Sequence, residues 1–478
     1  MFRPEDEIPD DINSWAVQQL YLKTKPMGIA TKHGEFGPSY IEPWPDNLIL
    51  SLSDGATKAG AMHAERQAIK KDKSLSKKQR KEKIRLLRYK YMSNRFDTLK
   101  FAHRSVYGAD QVKQRFTLFW LNHFTVGPQR GNKYIMGHYI EQAIYNNLNG
   151  SFDELLYKCI SHPTMLSYLD NIFNVGENSK KVKDCKDAGK IEDCGKASGL
   201  NDNLARELME LHTVSVDAGY TESDIRSSAK ILSGWGFGLY STGLTVENHW
   251  DAYYKDRAEP SGEVIVMGKK ISLGKGAFRQ LTDHLASLDE TAEFLSKKLC
   301  QHFVSDNPSE KDIVYVKSKW IASNGDLNQV HSAVIERAIM SKDDKFQWPI
   351  TWLFQIIRLS GATFFRGWEE VNNYNKRYNS IAAGHIFKEL GQYFWSNRQP
   401  DGYSSHKSEW LSGEHFERRL RFADSVYNLG NPKLTAEEIM NRMGVSNNTR
   451  DLVGGVSGDR RKFVALMCSP ELMGATRG

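Results

Sequence analysis

Apolar residues recur every three to four positions over most of this chain, the spacing of one face of an α-helix. The clearest case is 202–214, where Leu204, Leu208 and Leu211 mark a core face. On another face Asn203, Arg206, Glu207 and Glu210 follow the i, i+3, i+4, i+7 rule. The same periodicity predicts helices over 10–20, over 56–107 with a break near Ser74, and over 111–124 with a dense face of Phe116, Phe119, Trp120 and Phe124. Further helices are expected at 134–148, 151–161, 164–169, 221–233, 289–304, 310–322, 326–340 and 352–359. The last are at 382–395, 414–427, 435–443 and 460–467. Asp110, Ser151 with Glu154, Thr221 with Asp224, and Asp326 supply N-terminal capping signals.

Strand character is confined to 237–273, in runs at 237–240, 262–267 and 269–273 with a turn at Gly268. The expected fold class is therefore mainly α: one large multi-helix domain over 1–478 with a small β-hairpin excursion at 237–273. Three stretches read as loops: a Gly/Pro/aromatic one at 31–54, a polar one or insertion at 176–199, and a Pro/Gly/aromatic one at 397–412.

Composition narrows the class. Hydrophobic residues make up 40% and charged residues 26%, which suits a globular chain. The net charge of +7 is uneven, because 70–90 holds eleven Lys or Arg against Asp72 and Glu82. Such a run is either a solvated helix face or a contact for a polyanion. Nucleic acid is the less favoured polyanion, since few aromatics interleave and no zinc-finger or RNP motif accompanies the run. No apolar run reaches the ~18 residues of a membrane span, so no transmembrane segment is expected. The acidic start MFRPEDEIPDD is not a signal peptide as written, which points to the cytoplasm if Met1 is the true start. Cys185 and Cys194, nine apart in a polar segment, are either a disulfide of an oxidising compartment or two free thiols. No CxxC, H-E-x-x-H, G-x-S-x-G or P-loop signature occurs, which disfavours a cysteine-based zinc site, a zincin, an α/β-hydrolase and a P-loop nucleotidase.

Candidate chemistry lies where polar residues share a helix with a core face. Arg206 can pair with Glu210, leaving Glu207 as a carboxylate with neighbours of both signs. His212 is five residues beyond Glu207, so it joins a site only if the helix ends there and turns it inward. Asn122 and His123 close the aromatic helix, where the dipole favours a charged imidazole. Asp170 stands at another helix end. The bland alternatives are an exposed polar stripe, a histidine satisfied by carbonyls, and an aspartate capping the next turn.

Several segments occur together in one order: WLNHFTV, HPTMLSYLDN, GLNDNLARELMELHTV with DAGYTESDI, AKILSGWGF, PDGY before Trp410-Leu411, and MCSPELM. In this arrangement the chain resembles, over nearly its whole length, the bacterial family called domain of unknown function 1800. The resemblance implies a largely helical fold and assigns no reaction, cofactor, metal or catalytic residue. Many members look exported, which implies a periplasmic or secreted protein and agrees with a Cys185–Cys194 bridge. Relatives are often encoded beside sulfatase-like proteins of another uncharacterised family, which implies such a protein as an envelope partner.

The family-defining segments coincide with the polar helix faces, so a site of Asn122, His123, Asp170, Arg206, Glu207, Glu210 and His212 is expected. One reading is an envelope enzyme acting on a polar polymer such as a polysaccharide. Glu207 or Glu210 would then be acid or base, with His123 or His212 assisting. Arg206, Asn122, Asn203 and Asp170 would bind substrate, and Tyr403 and Trp410 would stack on sugars. The other reading is a non-catalytic helical module for a glycan or partner protein, its polar residues forming a buried network.

Overall fold

The structure, a computed structural model, describes residues 2–4, 6–21, 49–91, 94–129, 132–189, 199–238, 244–343, 345–365, 383–397 and 399–475. Most of the loop expected at 31–54, the 190–198 part of the polar segment and Arg398 lie outside these residues.

The fold is mainly α with one small hairpin. It opens with α1 (Ile12–Gln18), α2 (Leu52–Lys71), α3 (Lys77–Lys90), α4 (Asn94–Tyr107) and α5 (Gln111–His123). α5 is buried along almost its whole length: Phe116, Leu118, Phe119, Trp120 and Leu121 pack into the core, and the polar Gln111, Lys113, Gln114, Thr117 and His123 are buried with them. Its one indole N–H is satisfied inside the core by His331, 3.0 Å away. Around it the main hydrophobic cluster runs from Ala16 to Met473, and a smaller one joins Leu52 and Ala56 of α2 to Ile135, Phe237 and Leu244. The helix Asp289–Phe303 packs on Glu310–Ala322 and Leu327–Met340, and α4 packs on Pro349–Ser360 and Ala383–Glu389. Among the described residues no helix is long and apolar enough to cross a membrane.

The local signals hold at some positions and yield to tertiary contacts at others. Thr221 and Asp224 form a reciprocal capping box, and Asp326 accepts from the Gln329 amide at 3.0 Å. Ser151 does not cap: it lies in an isolated bridge with Asp326, while Glu154 forms an ion pair with Arg279. Asp110 does not cap either. It is buried and accepts from Tyr145 Oη at 2.7 Å and Gln114 Nε2 at 3.0 Å. The helix expected to begin at 352 begins at Pro349, whose missing N–H costs nothing in a first turn, and it stops before Gly361 at φ +67°. The 134–148 stretch is helical but not one α-helix, since Tyr139–Ile144 is a π-helical turn.

The β excursion is smaller than the sequence suggests. Among the described residues the 237–273 stretch contains a helix, Asp251–Arg257, and strands at β1 (Glu263–Val266) and β2 (Lys269–Ser272); the run expected at 237–240 lies partly outside them. They pair antiparallel with Val264 opposite Ile271, burying Val266 and Ile271 and leaving Ile265 outside. The polar 176–199 segment likewise is not all loop, because Lys180–Asp187 is a helix anchored by buried Val182. Cys185 is disulfide-bonded; Cys194, its expected partner, lies outside the described residues. Cys159, Cys300 and Cys468 are buried free thiols.

The helix expected at 202–214 spans Asn203–Glu210. The chain then turns tightly: the His212 amide bonds Glu207 O at 3.1 Å, and Ser215, at φ +76°, bonds Met209 O at 3.0 Å. This early stop swings His212 into the interior, where it is fully buried.

Candidate functional site

His123 is the last residue of α5 and is buried. Its Nε2 stands 3.2 Å from the carbonyl oxygen of His212, and its Nδ1 stands 3.1 Å from Lys298 Nζ. A carbonyl only accepts, so Nε2 carries the proton and the Nδ1 lone pair accepts from Lys298. Burial pushes the His123 pKa far down, and the Lys298 charge and His212 add to the effect. The imidazole is thus neutral at pH 7, against the expectation from the helix dipole. Desolvation of a buried cation outweighs the ~0.3–2 kcal/mol that a helix C-terminus offers.

Lys298 lies on the helix Asp289–Phe303, beside the buried positions Leu295, Leu299 and His302. Its ammonium faces His123 and sits 5.1 Å from the Phe294 ring centroid. Among the described residues no carboxylate comes within ion-pair distance of it. Burial lowers its pKa to about 8, with the Asp401 charge opposing. Glu207 moves the other way. Burial raises it to about 6, the Glu210 and Asp401 carboxylates add to this, and Arg206 opposes it.

Asp401 is placed by a clamp. The Asn122 amide, at the end of α5, donates to Tyr403 O at 2.9 Å and accepts from the Tyr403 amide at 2.7 Å. Between them Gly402 adopts φ +75°, and a Cβ there would lie 2.5 Å from Asn122 O, so only glycine lets the loop approach this closely. The clamp holds Asp401 near enough to act electrostatically on Glu207, Lys298 and Tyr168. The Tyr168 hydroxyl is buried without a hydrogen-bond partner, as are both ring nitrogens of His212. Burial, helped by the Lys298 charge, lowers the His212 pKa to about 3 and keeps that ring neutral. Orphaned buried polar atoms beside charged groups mark positions that a ligand group or water can satisfy.

The expected residues divide accordingly. Asn122, His123, Glu207 and His212 gather near Lys298 and Asp401. Arg206 instead holds three carboxylates on an outer face: Glu222 at 3.0 and 3.1 Å, Asp202 at 3.1 Å and Glu210 at 3.4 Å. Asn203 donates to Leu169 O at 3.3 Å, tying two helix ends together. Asp170 adopts φ +59° before a 3-10 turn and does not cap it. Its neighbour Asn171 is the buried one, donating to Leu232 O and Trp235 O at 2.9 and 2.7 Å. Trp410 is buried with its indole N–H on Ser404 O at 2.8 Å, and Tyr403 Oη accepts from the Tyr393 amide at 2.9 Å. The Trp410 ring is buried in the loop, and half-buried Tyr403 ties the loop to Tyr393. Among the described residues no His/Cys/Asp/Glu group has the geometry to hold a metal ion.

Lys298, Asp401 and Tyr168 were not anticipated. Lys298 carried a signal: a lysine one turn from Leu295 and His302 sits on the buried edge of its helix. Asp401 lies inside the PDGY segment, but nothing local distinguished it from a turn aspartate. The fold defines a mainly helical protein, in which the end of α5 brings His123 against Lys298 and Asn122 against the loop that carries Asp401. The chain belongs to the family described as "Protein of unknown function (DUF1800)", which it matches over residues 35–472. No curated protein and no solved structure matches it.

Proposed function

We propose that the protein is an acid–base enzyme acting on a hydroxyl-rich polymer, an envelope polysaccharide, with Glu207 and Lys298 as its proton-transfer groups. One observation carries this reading: burial draws a carboxylate up to about 6 and an amine down to about 8 beside one shared neighbour, Asp401. At pH 7 Glu207 is then mostly a base and Lys298 mostly an acid, each close to the pKa at which proton transfer is efficient. His123 is a positioning residue whose Nδ1 lone pair aims the Lys298 amine, and the His212 carbonyl sets its tautomer. Asn122 positions Asp401. Two carboxylates near one point, one of them partly protonated at neutral pH, also suit hydrolysis of a glycosidic bond. A sulfatase-like protein of the neighbouring family would then act on the same polymer.

The test is a panel of soluble polysaccharides incubated with wild type, Glu207→Gln and Lys298→Met, followed by assay of new reducing ends. One polymer is expected to be cut by wild type, with the rate falling by about 100-fold or more in each variant while the circular dichroism stays unchanged. Cleavage that persists undiminished in Glu207→Gln removes Glu207 from the chemistry.

A second reading, a non-catalytic glycan- or partner-binding module, draws on a different observation. Arg206, Asn122, Tyr403 and Trp410 all have their polar groups committed to structural bonds. Under it, a polysaccharide raises the melting temperature of wild type and Glu207→Gln equally and is not cut by either.

A further inference from the structure

We propose that the tip of the α2–α3 hairpin is a docking surface for an anionic polysaccharide, a chain bearing carboxylate or sulfate groups. α2 has 20 residues, yet its buried positions, Leu52, Gly55, Ala56 and Ala59, all lie in its first half. The rest of the helix, about 18 Å at 1.5 Å per residue, leaves the core and packs against α3. Of the described α3 side chains only Leu87 is buried. The hairpin therefore projects, and its charge collects at the free end.

Lys70, Lys71, Lys73, Lys77, Lys78 and Lys81 are exposed there. Among the described residues none of the six has an acidic partner within ion-pair distance. The acids of the hairpin are engaged elsewhere: Glu82 with Arg85, Glu65 with Lys90, and Asp72 with the Ser74 hydroxyl and amide. α3 also begins with Lys77, Lys78, Arg80 and Lys81 and has no acidic residue in its first turn. Cations at a helix N-terminus oppose the dipole, and like charges on neighbouring turns repel. Solubility alone does not call for this arrangement, since interspersed charges of both signs serve it at no such cost. A polyanion relieves the repulsion and the dipole conflict together.

The choice of polyanion follows from what accompanies the charge. Lys77 and Lys81 stand one turn apart on one face of α3, a row that suits a linear chain. Lysines are point charges that tolerate irregular anion spacing, whereas guanidinium forks select a fixed geometry. No Phe, Trp or Tyr stands between residues 70 and 81, so the tip offers no platform for nucleic-acid bases. Leu75 is the one large apolar residue between Lys70 and Lys83, too little to seat the hairpin in a bilayer.

The experiment measures binding of the full-length protein to dextran sulfate and to neutral dextran across a salt series. It compares wild type, a sextuple Lys→Gln variant of the six tip lysines, and a charge-matched control with Lys→Gln at the exposed Lys183, Lys255, Lys311, Lys319, Lys342 and Lys388. Wild type is expected to bind only the sulfated polymer, with affinity falling as salt rises. The tip variant should lose about tenfold or more and show a shallower salt slope, while the control changes by less than about twofold. Equal losses in tip variant and control would reduce the effect to net charge and overturn the proposal. So would tighter, tip-dependent binding to phosphatidylglycerol vesicles or duplex DNA, which would assign the surface to another anion. Because these lysines lie apart from Glu207, the result is independent of any activity measured there.

Discussion

At the residue scale, burial decides which protonation state each candidate group holds. Glu207 has its folded pKa raised to about 6, above the ordinary glutamate value. Its carboxylate is therefore penalised in the folded state above pH 6, and the penalty vanishes as pH falls below the unfolded value. Glu207→Gln is accordingly expected to stabilise the protein at pH 8 by up to about 1 kcal/mol, allowing for the partial exposure of this side chain. At pH 4, below the unfolded value, the gain should shrink toward zero. Urea denaturation at both pH values checks this, and a loss of stability at pH 8 would mean that the carboxylate is paired. His212 follows the opposite linkage. Its folded pKa, about 3, lies below the unfolded value. Stability is then fully present above pH ~6.5 and is lost as pH falls toward 3. His212→Leu removes an imidazole with two unpartnered nitrogens, so a gain of about 1 kcal/mol is expected at pH 7 and a larger one at pH 5. Destabilisation instead would show that those nitrogens are satisfied in solution.

At the scale of single elements, the clamp between α5 and the 399–412 loop couples fold to site. Gly402→Ala places a methyl against the Asn122 carbonyl and forces alanine to φ +75°. It is expected to cost about 1–3 kcal/mol. By releasing Asp401 it should also shift the Lys298 pKa further down, because Asp401 is the charge that raises it. The melting temperature reports the first effect, and the pH dependence of Lys298 acylation, read by peptide mapping, reports the second. An unchanged Lys298 titration would separate the loop from the site. Elements also show where local signals suffice. Thr221 caps its helix because its partner Asp224 sits in the same turn. Ser151 does not, because Glu154 finds Arg279, distant in sequence, and Ser151 itself bridges to Asp326. Likewise the Leu204/Leu208 face was legible from its period, whereas the stop at Glu210 depends on the Ser215 turn and on room for His212 inside the core.

At the scale of the whole molecule, a main apolar cluster spans Ala16 to Met473 and a smaller one seats the root of α2, while charge is concentrated in the projecting hairpin. The mainly helical class, the core faces, the basic run and the family were determined by sequence alone. Each rests on order within the chain: periodicity over a few turns, a local excess of one charge, or motifs in a row. Which polar residues meet was decided only by the tertiary structure. Asn122 and His123, Glu207, Lys298 and Asp401 come from four distant segments, and no local pattern says that they face one another. The same holds for their chemistry. Arg206 read as a binding cation until Glu222, sixteen residues away, completed its set of three carboxylates. The period of its helix puts Lys298 at a buried edge, but only its contact with His123 and the desolvation there lower its pKa. Proton affinity depends on desolvation and on neighbouring charges, and both exist only once the chain has folded.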